Sequence, residues 1–166
     1  NIDNVADIAI AAKFRNNGQV CISPNRFYVQ ENVKNEFVNA FIDRAKKLKI
    51  GNGMDEGVNL GPLTTAKRLE EIEKLVDKTK KEGAEVLLGG KRPSGFNKGF
   101  FYEPTVFDHV KDDFTIMKEE PFGPLVPMLS FKSFDEVIER ANDNDLGLCS
   151  YLYTNSMDKA NRGSEL

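Results

Sequence analysis

The chain has 166 residues, 40% hydrophobic and 30% charged, enough to bury the core of one ordinary globular domain. Its formal net charge of -3 excludes the basic footprint of a nucleic-acid partner. No apolar run approaches the length of a membrane span, and the longest helical patterns are one-sided. A single histidine, His109, and two distant cysteines, Cys21 and Cys149, leave no metal-ligand cluster and no disulfide framework. The expected compartment is therefore the reducing cytoplasm. A cysteine protease would need Cys21 to meet His109, and nothing around His109 supports that pairing.

The opening Asn1-Ile2-Asp3-Asn4 is neither a signal peptide nor an initiator sequence and reads as a chain entered partway through. Val5 to Phe14 is rich in alanine and isoleucine and predicts a mostly buried helix, ended by Asn16-Asn17-Gly18. Cys21 then falls between that helix stop and a strand at Arg26-Phe27-Tyr28-Val29. From Asn35 to Leu48 the residues Phe37, Val38, Phe41, Ile42, Ala45 and Leu48 keep helical spacing, with Lys46, Lys47 and Lys49 at the end where cations suit the helix dipole. A glycine-rich loop leads into Leu60-Gly61-Pro62-Leu63. A long helix follows from about Thr64 to Glu82, with Leu69, Ile72, Leu75 and Val76 as its inner stripe.

Glu85 to Leu88, Thr105 to Phe107, Val126 to Phe131 and Cys149 to Tyr153 read as strands. Ser133-Phe134-Asp135-Glu136 has capping-box spacing ahead of an amphipathic helix, and Asp158 to Leu166 starts a last helix. Strands alternating with helices predict a single α/β domain over residues 1–166, in three αβα layers with a largely parallel sheet. Cys149, in an apolar run, reads as core packing, and His109, in a polar turn, carries no role.

Two segments could carry chemistry. Gly18-Gln19-Val20-Cys21 puts a thiol on a turn, where backbone N–H groups can face a developing oxyanion. Cysteine is more often a small buried hydrophobe, so this segment alone leaves both readings open. Lys118-Glu119-Glu120-Pro121-Phe122-Gly123-Pro124 fixes an irregular backbone directly after two carboxylates. Such a loop can bind sugar hydroxyls and pack a ring, or it can be a solvated turn.

Together, in this order and about a hundred residues apart, the two segments resemble the signature regions of the aldehyde dehydrogenase superfamily. Leu60-Gly61-Pro62-Leu63, Gly89-Gly90 and Phe101-Tyr102-Glu103-Pro104-Thr105 extend the resemblance through essentially the whole chain. It implies Cys21 as the catalytic nucleophile, its N–H as one oxyanion donor, and Glu120 and Phe122 as contacts to the nicotinamide ribose and ring of NAD or NADP. No metal is implied. Arg15, six residues before Cys21, resembles the succinate-semialdehyde dehydrogenase branch, where an arginine grips the substrate's distal carboxylate, although a surface or ion-paired arginine would look the same.

The implied reaction is oxidation of an aldehyde, foremost succinate semialdehyde, to the carboxylic acid. Glutarate and 2-oxoglutarate semialdehydes are close alternatives, and a CoA-acylating reaction ranks lower. Some members of that branch carry a second cysteine two positions after the nucleophile. Here it is Ser23, so a redox switch of that kind is not available. The family's general base, asparagine oxyanion donor and dinucleotide-binding domain precede this region, and a completing strand follows it. The resemblance therefore implies a catalytic domain truncated at both ends, inactive by itself and belonging to a homo-oligomer. The contrasting expectation is a non-catalytic, folded or oligomerising module derived from such an enzyme.

Overall fold

In the computed structural model, which describes residues 1–165, each helix begins and ends where local chemistry directs. Helix α1 (Ile2–Phe14) is capped by Asn1, whose side chain accepts from the N–H of Asn4. It stops because Asn16, Asn17 and Gly18 take φ values of 48°, 57° and 74°, the left-handed region that asparagine and glycine tolerate. Helix α2 (Lys34–Ala45) buries Phe37, Val38, Phe41 and Ala45. Helix α3 (Ala66–Lys81) starts on a Thr65 cap and buries Leu69, Ile72, Leu75 and Val76, the stripe read from its spacing.

Four strands form the sheet: β1 (Phe27–Gln30), β2 (Glu85–Leu88), β3 (Thr105–Asp108) and β4 (Leu125–Phe131). Their order is β1-β4-β3-β2; β1 and β3 run parallel to β4, and only β2 is antiparallel. Side chains alternate between the two faces, as a two-residue period requires. Phe107, Leu125 and Leu129 join Leu69, Ile72 and Leu75 of α3 in one apolar cluster. Val106, Val126 and Met128 join Ala6, Phe14, Phe37 and Phe41 of α1 and α2 in the other. Both faces are thus covered, giving the expected three-layer αβα arrangement with a largely parallel sheet.

The remaining elements are a short helix α4 (Thr115–Lys118), α5 (Phe134–Asn142) and α6 (Met157–Glu165). Helix α5 has its Ser133 cap accepting from Glu136 N–H, while the Glu136 carboxylate accepts from Lys132 N–H. Helix α4, at one turn, is too short to leave a periodic signal. The helix expected through Leu48 ends at Ala45, and Leu166, expected to belong to the last helix, lies outside the described residues.

One expected strand does not form. Cys149 to Tyr153 belongs to no sheet among the described residues, and Leu148, Tyr151, Leu152 and Tyr153 are exposed. Alternating apolar residues make a strand only when a neighbouring backbone is in reach to pair with them. Cys149 is correspondingly exposed and not part of the core.

Candidate active site

Cys21 sits on a turn closed by the N–H of Ser23 donating to the carbonyl of Val20 at 2.9 Å. Its thiol is exposed and free. Its own N–H meets no acceptor among the described residues, which leaves that donor available to an incoming oxyanion. The preceding residues moor the turn. Asn17 is 2% exposed and donates through Nδ2 to the carbonyl of Gly61 at 3.0 Å. Gln19 accepts from the N–H of Thr64 at 2.9 Å through Oε1. The Leu60–Leu63 loop is therefore strapped directly to the segment that leads to Cys21. Asn17 Oδ1 is buried with no hydrogen-bond partner among the described residues.

The two motif segments meet at a pair of glycines. Gly18, at φ 74°, lies so close to the Gly123 carbonyl that a Cβ at position 18 would fall inside van der Waals contact of that oxygen. Gly123 in turn lies against Ile72 of α3, where a Cβ would collide with the Ile72 side chain. Only glycine supplies both the left-handed backbone and the missing atom here. Arg68 of α3 donates through Nη1 to the carbonyl of Pro121 at 3.3 Å, tying the acidic loop to the same helix. Glu120 is exposed, Phe122 is half-buried, and Phe122 has φ 44°. That conformation is uncommon for an aromatic residue and is held by the packed prolines around it.

A hollow of about 370 Å3 beside this loop is lined by Arg68, Glu71, Ile72, Leu75, Glu119, Glu120 and Pro121. A larger hollow of about 530 Å3, between Lys49, Asp55, Phe96 and Phe101, contains none of these site residues. An exposed carboxylate on a rigid loop, next to a partly exposed ring, is a donor-accepting set that fits sugar hydroxyls and a flat heterocycle. Among the described residues no group of three or more His, Cys, Asp or Glu side chains could hold a metal ion, and no helix is long and apolar enough to cross a membrane.

Arg15 begins the short 3-10 turn that follows α1, is exposed, and forms no ion pair with a described residue. It shares the connection that leads to Cys21, and its charge reaches Tyr151. His109, at φ 55°, lies 3.4 Å from the Glu85 carboxylate, away from these groups.

Lys13 escaped the sequence reading. It is fully buried in the last turn of α1, and its Nζ donates to Asn25 Oδ1 at 3.4 Å. Its carbonyl accepts from the Ser23 hydroxyl at 3.1 Å. Lys13 thus ties the end of α1 to the segment that follows Cys21. Burial pushes its ammonium down to about 7. A lysine in an otherwise alanine- and isoleucine-rich helix was the available signal.

The aldehyde dehydrogenase family model matches residues 1–165. The mitochondrial succinate-semialdehyde dehydrogenase of Oryza sativa subsp. japonica is 41% identical over 166 residues, covering 99% of this chain and 31% of the rice protein. Aldehyde dehydrogenase 1A1 of Bos taurus is 44% identical over 160 residues, covering 96% of this chain and 32% of the bovine one. The crystal structure of betaine aldehyde dehydrogenase from Staphylococcus aureus, in complex with NAD+, superposes with a TM-score of 0.96 at 36% identity, over 99% of this chain and 33% of that one. The chain belongs to the aldehyde dehydrogenase family. It spans about a third of the length of these relatives.

Two outcomes follow from this geometry. Gly18→Ala loses both the permitted backbone and the space beside Gly123, so it should lower unfolding stability by more than about 1 kcal/mol in urea titrations; a neutral substitution would mean the two loops are not in contact. For Lys13, the native ammonium titrates near 7 and the unfolded one near about 10.4. Between those values the unfolded chain binds more protons, so stability should climb as pH rises through the window. Lys13→Met removes that slope. The difference in denaturation midpoint between the variant and the native protein should shrink from pH 7 to pH 10.

Proposed function

We propose that these residues form the nucleophile-bearing part of an NAD(P)-dependent aldehyde dehydrogenase that oxidises succinate semialdehyde to succinate. The observation that carries the reading is the seating of Gly18 on Gly123, which packs the cysteine turn against the Glu120–Phe122 loop from the far side of the sequence. Neither segment has an evident structural reason for an exposed thiol or for a strained aromatic residue.

In this reading the Cys21 thiolate adds to the aldehyde carbon, forming a thiohemiacetal. Negative charge on the former carbonyl oxygen is met by the Cys21 N–H. Glu120 and Phe122 would hold the nicotinamide ribose and ring, the carboxylate by accepting from sugar hydroxyls. NAD or NADP, when bound, supplies the hydride acceptor. Cys21 then carries the acyl group as a thioester, and hydrolysis releases the carboxylate and restores the thiolate. Arg15 supplies a permanently charged fork for the distal carboxylate of the substrate, and its freedom from internal ion pairs supports that assignment.

Because the chain covers about a third of its relatives, the reading places the dinucleotide-binding domain and the general base in further sequence of a homo-oligomeric, cytoplasmic enzyme. The free thiols of Cys21 and Cys149 fit a reducing compartment.

Residues 1–166 alone should therefore give no steady aldehyde-dependent NAD(P)H formation in a spectrophotometric assay; sustained turnover would refute the division of labour. In the full-length enzyme, Arg15→Gln should lose on the order of 1.5–3 kcal/mol in kcat/KM for succinate semialdehyde and leave butanal unchanged. Equal losses on both aldehydes, or none, would make Arg15 structural.

A further inference from the structure

Accepting Cys21 as the nucleophile, the turn that carries it needs an explanation for how it keeps its shape, since it is exposed on the side where the thiol emerges. Its inner flank is anchored by Ser23 and Asn25 on Lys13. Its outer flank, the exposed residue Ile22, has a different support. The hydroxyl of Tyr151 donates to the carbonyl oxygen of Ile22 at 2.9 Å, across 129 residues of sequence. We infer that Tyr151 is a positioning residue for the nucleophile, its hydroxyl clamping the Ile22–Ser23 peptide one residue beyond Cys21.

The argument rests on what that peptide does. Between Ile22 and Ser23, one end of the unit is the carbonyl held by Tyr151, and the other is the N–H that closes the turn on Val20 at 2.9 Å. With both ends engaged the unit cannot rotate without breaking two hydrogen bonds, so the backbone on either side of Cys21 is fixed. The thiolate and the Cys21 N–H must converge on one carbonyl group, and small errors in that geometry are costly in rate.

The segment bearing Tyr151 is itself seated. Leu152, on the opposite face, lies against Gly163 of α6, where a Cβ would meet its side chain. The Cys149 thiol meets the carbonyl of Ser150 at 4.0 Å and leaves the Tyr151 hydroxyl to Ile22. No backbone ladder links residues 149–153 to the rest of the fold among the described residues, so the side-chain hydroxyl makes the link to the turn. A residue that looks like one of several exposed aromatics thereby joins the thiol turn to the C-terminal part of the chain.

The test uses the full-length enzyme and the variants Tyr151→Phe, Tyr153→Phe and Cys21→Ser, with the better of succinate semialdehyde and butanal as substrate. Single-turnover acylation is measured per folded enzyme, with the folded fraction of each variant taken from its circular dichroism, which removes any loss due to unfolded protein. Tyr151→Phe should slow acylation roughly three- to tenfold, the loss of one neutral hydrogen bond, with half-saturation unchanged within about twofold. Tyr153→Phe should behave as the native enzyme. Acylation at the native rate in Tyr151→Phe overturns the proposal, and so does an equal loss in Tyr153→Phe, which would assign the effect to packing of the segment. Cys21→Ser separates the two readings: it should not acylate, and if it does, the nucleophile assignment itself fails whatever Tyr151 does.

Discussion

Everything in the candidate site depends on one close approach, the carbonyl of Gly123 against the Cα of Gly18. Two loops from distant parts of the chain can share a wall only where neither backbone carries a side chain at the contact. Gly18 meets that condition in a left-handed conformation, and Gly123 meets it again against Ile72. The sheet sets the stage for this. Strand β4 leaves the Glu120–Pro124 loop at its start, and β1 follows the Cys21 turn, so pairing β1 beside β4 delivers both loops to the same region. Helix α3 then fixes the acidic loop from beneath through Ile72 and Arg68.

Much of this was legible before any coordinates. Helix α3 announced its buried stripe through Leu69, Ile72, Leu75 and Val76, because burial on one side imposes a helical period. Strand β4 was readable as a continuous apolar run, since a central strand is covered on both faces. The asparagine-glycine stop after α1 was readable because few residues tolerate positive φ. For Cys21 and Glu120, local pattern alone left the bland reading open, and only their pairing along the whole chain made them candidate site residues.

What the sequence hid is tertiary in origin. The apolar alternation at Cys149 to Tyr153 has the period of a strand, yet a strand is a property of two segments, and no described neighbour pairs with this one. The burial of Lys13 depends on the packing of α1 against the cysteine turn and on Asn25, which composition cannot disclose. Tyr151 is a similar case: its partner is a backbone carbonyl, and a carbonyl has no identity in sequence. Gln19 and Asn17 were visible as motif letters, but their ties to Thr64 and Gly61 depend on a loop more than forty positions later, a separation of 45 for Thr64 and 44 for Gly61.

The pairing of β1 with β4 has a consequence for how the protein is made. Phe27 lies opposite Met128, so the parallel contact of β1 with β4 waits for about a hundred further residues to leave the ribosome. At typical elongation rates of roughly 5–20 residues per second, β1 and the thiol beside it spend several seconds without their partner strand. Helix α1, made before β1, and helix α2, made just after it, can shelter β1 in that interval through Phe14, Phe37 and Phe41. Cys21 has no such early cover. Its surroundings arrive last, and a cell that makes this protein under oxidising stress exposes a nascent cysteine before the fold that gives it a purpose exists.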